Sequence, residues 1–190
     1  MIVARDFLWL TVRNRETGQP YSEGYWSDVG TVEAQVASPL VGTVTRPFIG
    51  AGALISIDPI ASTTALVVQS TTIRLSQIDD RVNDLMRGYD PKFGRVEVYR
   101  GFFDPATMAL SAPAECKFLG LIDRVEIETP AEGGEGAIVA TCVTATQEIT
   151  RSSPATRSDA DQRRRDPTDN FFQDVSTVGE LEIFWGVRRG

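Results

Sequence analysis

Apolar and β-branched runs in the first seventy residues are short, and glycine or proline interrupts them before an amphipathic helical repeat can develop. Such spacing favours extended structure, because proline ends a strand pattern and glycine supplies turn conformations. Residues 7–12 read as a strand, and residues 13–21, with Thr17-Gly18-Gln19-Pro20, read as the turn-bearing loop of a hairpin. In residues 29–36 the pattern alternates: Val29, Thr31, Glu33 and Gln35 share one face, and Gly30, Val32, Ala34 and Val36 share the other. Pro39, Pro47 and Pro59 punctuate the short runs 40–44 and 53–57, and residues 65–75 are β-branched enough for a longer strand. The fold class predicted is mainly β, an antiparallel β-barrel or β-sandwich.

One amphipathic helix is predicted over about 77–87. Ser76 stands at its start, Asp79 and Asp80 lie in its first turn, and Gly88 follows its end. Ile78, Val82, Leu85 and Met86 form its apolar stripe. Further strands follow at 95–102, at 116–128 with Gly120 as a bulge, and at 137–149, the last two joined by a tip over Glu132-Gly133-Gly134-Glu135-Gly136. The composition then changes. Residues 151–167 hold no aliphatic side chain beyond Ala155 and Ala160 and cannot form a core of their own. Phe171, Phe172 and Val175 follow on a short helical pattern capped by Thr168 or Asp169, and residues 181–185 read as a final strand. The organisation expected is a β domain over 1–150 and an extended C-terminal arm over 151–190.

The chain contains no histidine, which removes Ser-His-Asp and Cys-His catalysis and the commonest zinc ligand. Cys116 and Cys142 are too few for a disulfide scaffold and read as buried thiols. Nineteen basic against 26 acidic residues give a net charge of −7, so general attraction to nucleic acid or to an anionic membrane is not expected. No signal-like start and no apolar span long enough for a membrane are seen, so synthesis and retention in the cytoplasm are expected. Walker, Rossmann and metalloprotease patterns are missing, and Gly50-Ala51-Gly52 reads as a turn because no helix follows it. Asp79, Asp80 and Asp84 are dense enough to consider as paired acids, but complementing a helix dipole and facing solvent explain them. Asp159 and Asp161 lack a third ligand at calcium-loop spacing. No cofactor or metal is expected.

The basic run Arg163-Arg164-Arg165 is flanked by Asp159, Asp161, Asp166 and Asp169, so its local charge is nearly balanced and counterion release on DNA would be slight. With Arg157 and Asp161 nearby and Phe171-Phe172 beyond, it suits docking: arginines pair with carboxylates and aromatics fill a pocket. The surface that receives the arm is either a neighbouring subunit or the arm's own domain.

Three blocks carry a resemblance. They are Arg95-Val96-Glu97-Val98-Tyr99-Arg100-Gly101-Phe102-Phe103-Asp104, then Phe118-Leu119-Gly120-Leu121-Ile122-Asp123-Arg124-Val125, then Arg157-Ser158-Asp159-Ala160-Asp161-Gln162-Arg163-Arg164-Arg165-Asp166-Pro167 with Asn170-Phe171-Phe172. In this order they resemble the tail-tip proteins of tailed bacteriophages and gene transfer agents, in the hub and distal-tail group. The resemblance covers roughly 77–185. It implies a β-barrel or β-sandwich that assembles as a ring, trimer favoured over hexamer, joining the tail tube to the central fibre or baseplate of a virion assembled in the host cytoplasm. It also implies a structural protein with no enzymatic step, no sequence-specific nucleic-acid binding and no membrane insertion. The iron–sulfur cluster of some hub relatives is not implied, because its cysteine group is missing. A ring lumen of acidic subunits would repel DNA and let it pass. The alternative is a carbohydrate-binding or carbohydrate-cleaving β domain using Trp9, Tyr25, Trp26 and Tyr99 as stacking platforms.

Overall fold

The computed structural model describes residues 3–50, 52–63, 67–132, 136–147 and 156–179. The chain divides into two compact units, Met1–Thr150 and Arg151–Gly190.

The first unit is mainly β. Its strands are β1 (Val3–Asn14), β2 (Pro20–Trp26), β3 (Thr31–Ser38), β4 (Gly42–Ile49), β5 (Leu54–Ile57), β6 (Ser70–Ser76), β7 (Tyr89–Phe103), β8 (Ala114–Glu128) and β9 (Ala137–Thr144). They form one sheet in the order β3-β4-β2-β1-β7-β8-β9-β6-β5. Nearly every pairing is antiparallel, and two short parallel contacts bend part of the sheet into a ring. These are Tyr25 with Ile49 between β2 and β4, and Val36 with Ala114 and Ala37 with Glu115 between β3 and β8.

Local chemistry accounts for the first hairpin. The Asn14 carboxamide oxygen accepts from the amides of Glu16 and Thr17 at 2.9 Å, an Asx turn, and Gly18 takes the left-handed φ of 70° that closes it. Pro47 lies inside β4 instead of ending it, and this is tolerated because β4 meets β2 at a single residue pair, leaving that edge free of the N–H that proline lacks.

Two hydrophobic clusters share one wall. On β1, Leu8, Leu10 and Val12 pack into a mostly aliphatic core with Ile73, Leu75, Val96, Val98, Ile122 and Ile138. Phe7, on the other face of β1, belongs to a second, aromatic core with Trp26, Phe48, Tyr99 and Phe103. Both faces of β1 and β7 are therefore buried, which is why Phe7-Leu8-Trp9-Leu10 is apolar without a break.

The helix is shorter than the sequence pattern predicts and starts later. Helix α1 covers Asp80–Asn83, and a single π-helical turn over Asp84–Gly88 continues it. Asp79, not Ser76, is the N-cap: its carboxylate accepts from the amides of Arg81 and Val82 at 3.0 and 3.1 Å. Val82, Leu85 and Met86 are buried in the aliphatic core, whereas Ile78 precedes the helix and is 85% exposed. Gly120 is not a bulge. It pairs in register with both Val96 and Thr144, and the ladder irregularities fall at Lys117 and Asp123. A Cβ at Gly120 would lie 2.2 Å from the Val143 carbonyl oxygen, so close backbone approach demands glycine there. The strand expected over 65–75 begins at Ser70. The strand expected over 137–149 ends at Thr144, where the chain turns. The middle of the 132–136 tip and the strand expected over 181–185 lie outside the described residues.

In the second unit, α2 spans Asp159–Arg165 and α3 spans Val175–Val178. Ser158 caps α2, its hydroxyl accepting from the Asp161 amide at 3.3 Å. Helix α2 contains no buried residue.

Candidate functional site

The residues expected to dock the arm fall into two groups. Arg163 and Arg165 are engaged within the unit: Arg163 Nε lies 2.9 Å from both Asp159 carboxylate oxygens, and Arg165 donates to Gln162 at 2.8 Å with Asp161 Oδ2 at 3.7 Å. These are i,i+3 and i,i+4 contacts on exposed helix faces, which contribute little each. Arg157 and Arg164 are exposed and have no carboxylate within ion-pair distance among the described residues. Phe171 and Phe172 meet edge to face at 4.9 Å, with Phe172 half-buried and Phe171 80% exposed. Asp169 fixes the turn before them, accepting from the Phe171 amide at 2.9 Å and from the Gln162 carboxamide. Those bonds, the Gln162 one foremost, hold its carboxyl below the usual carboxylate range. Among the described residues the arm thus presents two guanidiniums without a carboxylate partner and one exposed phenyl ring.

A second polar constellation lies inside the aromatic core, where sequence reasoning did not look for one. Glu97, on β7, is 2% exposed. Its Oε2 accepts from Ser38 Oγ of β3 at 2.9 Å, from Arg46 Nη1 of β4 at 3.1 Å, and from the Tyr99 hydroxyl. Arg46 also donates to the Tyr99 oxygen at 3.2 Å, and its guanidinium carbon sits 4.6 Å from the centroid of the Trp9 ring. Burial first, and the bond to Glu97 second, push the Tyr99 phenol above its ordinary value, so it remains a donor at physiological pH. The cluster ties the β3–β4 hairpin across the ring to β7. The signal available in the sequence was one acid on the face that Glu97 shares with Tyr99, but its partners lie 51 and 59 residues earlier.

The aromatics considered for sugar stacking are packing residues. Tyr25 and Tyr99 are fully buried, Trp26 is buried in the aromatic core with its indole N–H donating to the Gly30 carbonyl at 2.8 Å, and Arg46 covers Trp9. Asp79 is occupied as a helix cap, and Asp80 lies in the first turn. Cys142 is buried and its thiol is pushed up to about 12 by burial. Cys116 is only half-buried, a correction to the expectation of two buried thiols, and burial raises its thiol too. Among the described residues no three acids or cysteines gather as a metal-binding group, and no helix is long and apolar enough to cross a membrane. Comparison with protein-family models and with curated proteins finds no match to this sequence.

Proposed function

We propose that this chain is a structural virion protein of a phage tail tip, a hub or distal-tail subunit. Copies close into a ring, trimer before hexamer, that joins the tail tube to the central fibre or baseplate and lines the DNA path without an enzymatic step. The observation that carries this reading is the surface of the C-terminal unit. Its α2 buries no residue, Phe171 stands 80% exposed, and Arg157 and Arg164 have no carboxylate partner among the described residues. Helices of seven and four residues are marginal alone and gain most from a docking partner. A neighbouring copy offers that partner, and many weak arm contacts repeated around an axis lock a ring. A charge of −7 per copy suits a lumen through which DNA passes without sticking.

The test is deletion of residues 151–190. Sedimentation should give the full chain the mass of three or six 20.8-kDa copies, and the truncated chain should run as a folded monomer. Full rings from the truncated chain would remove the arm from the mechanism. A full chain that stays monomeric at high concentration would remove the ring.

A further inference from the structure

A basic groove lies on the β unit, beside the β1–β2 hairpin. Between Thr11 and Arg13, β1 places one residue, Val12, opposite the four residues 91–94 of β7: Thr11 pairs with Arg95 and Arg13 pairs with Asp90. The extra β7 residues form an excursion beside a groove of about 550 Å³. Phe93, at its crest, adopts φ 59°, a left-handed conformation that is costly for an aromatic residue, and is 54% exposed.

Arg13, Lys92 and Arg95 line the groove, all three are exposed, and none has a carboxylate within ion-pair distance among the described residues. Asp90 is the one acid in the lining, and its Oδ1 is committed to the Lys92 amide at 3.2 Å. The Lys92 ammonium sits 5.4 Å from the Phe93 ring centroid. Among the described residues, three cations without a carboxylate partner thus concentrate in one recess of a chain whose net charge is −7.

We propose that this groove docks a short acidic segment of another protein, with carboxylates on Arg13, Lys92 and Arg95 and an aromatic or aliphatic residue against Phe93 and Leu121. Guanidinium forks match carboxylates two bonds at a time. The apolar lining gives the segment's side chain a place that a bare phosphate would leave unused. The whole-chain field repels long polyanions and anionic membranes far more than a segment of a few charges. The inference stands on the groove alone and does not depend on the ring.

The experiment titrates the full chain into a fluorescein-labelled peptide, Glu-Asp-Phe-Asp-Glu, and follows anisotropy at low and high salt. Binding should weaken with salt. It should fall about tenfold or more in the variant Arg13→Gln/Lys92→Gln/Arg95→Gln, and as much for the peptide with Gln and Asn in place of its acids. Phe93→Gly should weaken binding while the backbone keeps its course, since glycine accepts φ 59°; a circular-dichroism spectrum unchanged from wild type checks that the fold is retained. Equal binding by wild type and the triple variant, or no binding by wild type, overturns the proposal. So does tighter, equally Arg-dependent binding of a single-stranded oligonucleotide, inorganic phosphate or phosphatidylserine vesicles.

Discussion

The two cores of the β unit share β1 and β7 yet are held together by different physics. The aliphatic core is closed by α1 and the π-helical turn through Val82, Leu85 and Met86, and its stability is a matter of area removed from water and volume filled. The aromatic core stacks Phe7 on Trp26 at 5.9 Å and sets Phe48 edge-on to Phe7 at 4.9 Å, and beside these rings it buries a carboxylate. Three donors converge on one oxygen of Glu97. Non-directional packing tolerates small errors, whereas a buried charge tolerates none of its partners being missing. Within one sheet, one compartment is therefore graded in its response to change and the other close to all-or-none.

Breaking the polar cluster is expected to have the largest effect. Arg46→Met leaves Glu97 buried without its countercharge and should cost roughly 3–5 kcal/mol in urea unfolding. The double variant Arg46→Met/Glu97→Met should recover much of that loss, since the unpaired charge leaves with its partner; additive losses would show that the two side chains act independently. The aliphatic core should answer more gently. Ile73→Val should cost about 0.5–1.5 kcal/mol, and a larger loss would show a core strained by its lining. The smallest effect belongs to Glu23, whose carboxyl burial raises above its ordinary value of 4.5, against the Tyr25 bond that lowers it. Because the folded state holds that proton more tightly, the charged form costs stability as pH rises above the unfolded value. Glu23→Gln should therefore match wild type in melting temperature well below the ordinary value of 4.5 and exceed it slightly at neutral pH. A constant offset across that range would detach Glu23 from the pH response.

Much of this architecture is legible locally. The alternation of residues 31–36 places Ala34 and Val36 inward, and the unbroken Phe7-Leu8-Trp9-Leu10 run marks a strand covered on both sides. The misreadings have specific causes. Ser76 and Asp79 are both competent caps; Ser76 bonds the Ile78 amide at 3.2 Å as a turn, and Asp79 starts the helix. Gly120 carries the sequence mark of a bulge but serves a close approach that only the β8–β9 pairing creates. Glu97 sits in a strand whose alternation is plain, but Ser38 and Arg46 reach it only after the ring closes. The arm's lack of core-forming side chains is written in its composition, whereas the split of its arginines between engaged and unengaged depends on helical spacing from Asp159 and Asp161.

The strand shared by both cores sets an order of events during synthesis. Residues 3–11 of β1 pair with residues 95–103 of β7, so β1 waits while β2 to β6 are made before its second neighbour exists. During that interval Phe7, Leu8 and Leu10 ride on a nascent hairpin without the β7 strand that completes their cover, an apolar run open to wrong partners. The yield of intact subunit then depends on how quickly translation delivers β7, and slow codons placed before residue 95 would send more of the product into aggregates or onto chaperones.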